Sequence, residues 1–118
     1  MNRIEESKQR LQTLYGGEAS TLHAAEPEFA DIKERLIYGE VYAEKVLSDR
    51  MRELLTFAVL CAQGGREPQI KAHVGGNAAV GNGKEMLLAA LRVCLPYIGF
   101  PRTLNALGCV NEILPEQA

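Results

Sequence analysis

The sequence predicts an all-α chain, a single domain over residues 1–118 folded as a bundle of about six helices. Three observations carry that expectation. Apolar residues recur at helical spacing from end to end, and no stretch alternates with the period of two that a half-buried strand requires. The length, 118 residues, also falls inside the roughly 100 to 200 residues usual for one domain.

The first helix is marked by Ile4, Leu11, Leu14 and Tyr15 on one face and should stop at Gly16-Gly17. Residues Glu18 to Glu26 then form a connection. Pro27 suits the first turn of a second helix, where its missing N–H would have had no partner anyway. Phe29, Ile32, Leu36 and Ile37 supply that helix's buried stripe, and Gly39 ends it. Ser48 and Asp49 are good initiators for a third helix through MRELLTFAVLCAQ. From Leu54 to Ala62 its side chains are apolar nearly all round apart from Thr56, which predicts a central helix.

Gly64-Gly65 should end the third helix and Pro68 start the fourth, QIKAHVGGNAAV, which runs to Gly81. Gly75-Gly76 in mid-helix costs about 1 kcal/mol per glycine relative to alanine, so another helix is expected to cross there closely. Asn82, followed three residues later by Glu85, resembles a capping box for a fifth helix through KEMLLAALRVCL. Pro96 and Gly99 should kink or break it. Pro101 starts a last helix, TLNALGCVNEIL, which Pro115 ends. The third and fifth helices are apolar on more sides than a small monomer covers, which predicts a homo-oligomer.

Hydrophobic residues at 47% and charged residues at 24% are the balance of a globular chain, with disorder confined to the ends. A formal charge of −2 with scattered Lys and Arg gives no attraction for nucleic acid. The opening MNRIEESKQR is charged where a signal peptide needs an apolar run, and no segment reaches the roughly 18 apolar residues of a membrane span. A cytoplasmic location is expected.

Two residues are candidates for chemistry. Glu53 is expected in the first turn of the most apolar helix, and periodicity alone leaves two readings: a solvated or salt-bridged first-turn glutamate, or a buried acid or base with a perturbed pKa. His73 lies mid-helix with Gln69 and Asn77 one turn away on the same face. It can be a structural histidine, yet imidazole titrates nearest neutrality, which makes it the best candidate for proton transfer. His23, in the connection, looks exposed and incidental. One helical histidine with distant carboxylates does not supply the three or four convergent ligands of a metal site, so no metal is expected. No cofactor is expected either: GxSxG, P-loop and GxGxxG motifs are absent, and GGNAAVGNG is glycine punctuation around a helix end. Cys61, Cys94 and Cys109 are odd in number and too widely spaced for a CxxC pair, and they read as buried thiols.

The run LSDRMRELLTFAVLCAQGGREPQIKAH, followed after a glycine turn by NGKEMLLAALRVCLPYIGFPRTLNAL, resembles the carboxymuconolactone decarboxylase family over residues 47 to 107. Its most telling pieces are Arg52-Glu53-Leu54, His73, Tyr97-Ile98-Gly99-Phe100-Pro101 and Asn105-Ala106-Leu107. The resemblance implies an all-helical, alkylhydroperoxidase D-like fold assembled into a ring, commonly a trimer or hexamer, with sites near subunit contacts. In the alkylhydroperoxidase D branch a Glu, a CxxC pair and a His form a proton relay. Here the matching stretch reads GGREPQIKAH, so Glu53 and His73 remain and both cysteines are gone. The thiolate is the nucleophile in that chemistry, so thiol peroxidase activity should be absent.

The resemblance therefore implies the decarboxylase branch, whose reaction in aromatic catabolism takes 4-carboxymuconolactone to 3-oxoadipate enol-lactone and carbon dioxide. His73 as general acid, with Glu53 orienting it or holding the proton, would serve that reaction. Arg52, Arg66 and Lys71 are the nearest cations for the carboxylates of a lactone or related substrate, although Arg52 can equally pair with Glu53 or a neighbouring subunit. The alternatives are a peroxidase using Cys61 and a non-catalytic oligomeric binding protein.

Overall fold

A computed structural model describes Glu5, Gln9 and residues 26–115. The chain divides into two compact units, residues 1–47 and 48–118. Among the described residues every regular element is helical. The expected first helix lies outside them except for Glu5 and Gln9, both helical, as do the connection 18–25 and His23.

In the first unit, α1 (Pro27–Lys33) begins with its proline in the first turn, as expected, and continues without interruption as a π-helix over Glu34–Val41. Gly39 does not end it. The amide of Tyr42 reaches the carbonyl of Ile37 at 2.8 Å, an i to i−5 bond that carries the widened helix past the glycine, which is buried. The buried side chains are Ala30, Tyr38 and Tyr42, the two tyrosines meeting edge to face with ring centroids 6.4 Å apart. Phe29, Ile32 and Leu36, expected as the buried stripe, are each at least half exposed, and Ile37 is partly buried. Periodicity identifies an apolar face but not the surface that covers it.

In the second unit, α2 (Asp49–Gln63) starts at Ser48, whose Oγ accepts the Met51 N–H at 3.1 Å. It packs on α3 (Glu67–Ala79), α4 (Lys84–Ile98) and α5 (Phe100–Ile113), and is central as expected. Gly64, at φ +76°, ends α2 in a conformation that L side chains rarely adopt. A Cβ there would also lie 3.1 Å from the Arg102 side chain. The tight turn sends α3 back antiparallel to α2. Chain direction breaks between α4 and α5 at Gly99, φ +85°, rather than at Pro96, which stays within α4.

The core joins Phe57 and Cys61 of α2, Ile70 and Val74 of α3, Leu87 and Leu91 of α4, and Ala106, Cys109 and Val110 of α5. Cys61 and Cys109 are buried as expected, whereas Cys94 is only half-buried. The capping box expected at Asn82 does not form. Gly83 is the N-cap of α4 without a side-chain bond, and the Asn82 side chain turns inward, 2% exposed, to bond α2 and α3. Buried carbonyl groups there compete successfully for its amide.

The close helix crossing expected at Gly75-Gly76 is not found at Gly75, where a Cβ would meet nothing within 4 Å. Gly76 is buried. Gly75→Ala is therefore expected to raise stability in urea unfolding by about 0.5 to 1 kcal/mol, through the entropy the glycine loses in a helix interior. A loss of stability or of assembly would instead reveal a neighbour at that position.

Candidate active site

Glu53 is the fifth residue of α2, beyond the unpaired N–H groups of the first turn, and only 1% exposed. Its burial overturns the solvated reading. The side chain shares the inward face of α2 with Phe57 and Cys61, at i, i+4 and i+8. Across the hairpin, Nδ1 of His73 stands 2.9 Å from Glu53 Oε2, with the imidazole side chain 19% exposed. The two candidate residues, twenty positions apart in sequence, are thus in direct contact.

The contact has a chemical consequence. An ionised Glu53 accepts the Nδ1–H and orients the ring, so that Nε2 faces away from the carboxylate and a proton carried there is stabilised by it. The pair joins a buried carboxyl group to a partly open ring, an arrangement suited to holding and delivering one proton.

Two asparagines complete the surroundings. Asn77, fully buried, donates from Nδ2 to the carbonyl of Glu53 at 3.0 Å and to that of His73 at 2.7 Å. Asn82 donates from Nδ2 to the Asn77 Oδ1 at 3.0 Å and to the Arg50 carbonyl at 2.8 Å, while its Oδ1 accepts from Arg50 Nε at 3.1 Å. Sequence reasoning noted Asn77 only as a neighbour of His73 and read Asn82 as a cap. The available signal was a polar residue in register with Ile70 and Val74 on the buried face of α3.

The three candidate cations lie apart from one another. Arg52, next to Glu53 on α2, is 9% exposed. Arg66 is exposed at the start of α3 and its Nε donates to Gln63 Oε1 at 3.2 Å, about two helical turns before His73. Lys71 turns toward α5, with Nζ 2.7 Å from Glu112 Oε2, a bond that raises the lysine pKa. Residues two apart on a helix do not share a face, so Lys71 and His73 point differently. Among the described residues, no three His, Cys, Asp or Glu side chains group together as metal ligands, and no helix is long and apolar enough to cross a membrane.

Cys61 is fully buried, and burial, then the neighbouring Cys94 and Cys109, pushes its thiol up to about 12. Burial also raises the Cys109 thiol. A thiol raised in the fold favours the protonated native state. Its contribution is full below the unfolded pKa of about 8.5 and is lost as pH rises from there toward 12. Wild-type stability is expected to fall over that range relative to Cys61→Ala by about 2 to 4 kcal/mol, measured as the difference between their urea midpoints across pH.

The chain matches the family model described as the carboxymuconolactone decarboxylase family over residues 27–112. It is also similar to a 4-carboxymuconolactone decarboxylase from Acinetobacter baylyi (strain ATCC 33305 / BD413 / ADP1), 31% identical over 91 residues. That alignment takes in 75% of this chain and 66% of the relative, just short of two thirds of its length.

Proposed function

The chain belongs to the carboxymuconolactone decarboxylase family, and on that premise we propose that it is a carboxy-lyase acting on a lactone or related cyclic carboxylic acid, with His73 as general acid. One observation carries the reading: a buried Glu53 carboxylate in direct hydrogen-bond contact with a partly exposed imidazole. The similar relative's name suggests 4-carboxymuconolactone as the substrate to try first.

In such a reaction the bond to the departing carboxylate breaks and carbon dioxide leaves. Its electron pair passes into the conjugated lactone as a dienolate. The carbanion carbon then takes a proton from His73 Nε2, and water restores that proton to the ring. Glu53 stabilises the imidazolium before it donates, and the ring is neutral until water restores its proton. Binding the substrate's carboxylates falls to Arg52, Arg66 and Lys71. Of these, Lys71 would have to leave Glu112 to do so.

Assembly into a cytoplasmic trimer or hexamer belongs to the same reading. It is supported by apolar side chains that the single chain leaves open: Leu55 and Val59 on α2, and Val93 and Tyr97 on α4, Tyr97 being 86% exposed. Thiol peroxidase chemistry draws no support from Cys61, whose buried, strongly protonated sulfur is the opposite of an accessible thiolate.

The test is an ultraviolet assay of 4-carboxymuconolactone consumption. His73→Ala is expected to lower kcat at least ~100-fold, and Glu53→Gln at least ~10-fold, in proteins matched for helicity and oligomeric size. Full turnover by folded His73→Ala would exclude the assigned role. No turnover by the wild type would exclude this substrate and leave other lactones or a non-catalytic binding role.

A further inference from the structure

We propose that Asn77 is the positioning residue of the Glu53–His73 pair, fixing the two helix backbones on which the acid and the imidazole are mounted. The inference rests on the reading of that pair as the proton-transfer device.

The geometry is specific. A side-chain amide offers two N–H donors and one carbonyl oxygen. In Asn77 one nitrogen serves the carbonyl of Glu53 on α2 and the carbonyl of His73 on α3, at 3.0 and 2.7 Å. The residues whose side chains meet are therefore also the residues whose main chains are tied, by one fully buried group. The oxygen of Asn77 accepts from Asn82, which settles the orientation of the amide, since a flipped group would set oxygen against two carbonyl oxygens. Asn82 is oriented in turn by both the carbonyl and the guanidinium of Arg50. A chain of amides thus runs from the first turn of α2 to the pair.

A structural role alone asks less of this position. An aliphatic side chain at 77 would continue the buried face of Ile70 and Val74 without penalty to packing type, but would leave the two carbonyls without this bridge. The Glu53–His73 contact spans two helices, so an error of a few tenths of an ångström between them lengthens it directly. Held by Asn77, the imidazole keeps its Nδ1 on Glu53 before substrate arrives.

The decisive experiment reads the ring itself. Nitrogen-15 spectra of the full-length protein report the tautomer of each imidazole, and a His23→Gln spectrum distinguishes the two histidines of the chain. With the imidazole in its neutral form, the state left after Nε2 has given up its proton, wild type is expected to show His73 as one tautomer protonated at Nδ1, and Asn77→Ala to show averaging between the two. Val110→Ala, which opens the core on α5 without removing a bond of the Asn77 amide, should keep the wild-type pattern despite its lower stability. In the lactone assay Asn77→Ala should lose about 10- to 100-fold in kcat with KM within about three-fold.

An unchanged His73 spectrum in Asn77→Ala, or equal averaging in Val110→Ala, overturns the proposal. If Asn77→Ala does not fold, Asn77→Ser, whose hydroxyl can bond only the carbonyl four residues back, gives the same comparison and the same two outcomes. Because the spectra need no substrate, absence of lactone turnover in the wild type would strike the lyase reading while the tautomer still decides the role of Asn77.

Discussion

A carboxylate taken out of water is costly, by several kcal/mol even after the protein relaxes around it. The second unit of this chain is organised around one such group. Glu53 lies on the inward face of α2, and α3 must return antiparallel and close enough for His73 to meet it at 2.9 Å. That return depends on the tight turn at Gly64-Gly65, where both residues have positive φ. It also depends on the apolar contacts of Phe57 and Cys61 with Ile70 and Val74 further along the hairpin. Hydrophobic packing brings the helices together, and the polar contacts select their register.

The division of labour between packing and polar contacts explains why the buried polar groups are so concentrated. Glu53, Asn77 and Asn82 are among the least exposed side chains of the unit, and their bonds join α2, α3 and the connection before α4. A polar network of this kind stabilises only when its members are satisfied, and then it specifies one arrangement in a way an all-apolar core does not. The arrangement specified here is an imidazole with one nitrogen on a carboxylate and the ring partly open to its surroundings.

The hairpin turns through Gly64-Gly65 into the start of α3, and Cys61 of α2 is locked in the core with its thiol pushed up to about 12. At the far end of α4 and the start of α5, Val93, Tyr97, Phe100 and Leu104 leave apolar surface open, a feature typical of an interaction site.

Much of the architecture was legible in the residues alone, because helix boundaries are local. Pro27, Ser48, Gly64-Gly65, Pro68, Gly99 and Pro101 act through their own φ, N–H or side-chain cap, and each lies at or within a residue of a helix end. Glu53 and His73 could be singled out by residue type, position and family resemblance. Which groups face one another could not be read, because spacing along a helix gives a face but not its partner. Tertiary packing alone decided that Phe29, Ile32 and Leu36 stay exposed and that Lys71 turns to Glu112. It likewise drew Asn82 away from capping α4 and made Asn77 the bridge between the two backbones. These outcomes depend on distances between segments remote in sequence, set only when the helices settle against a common core.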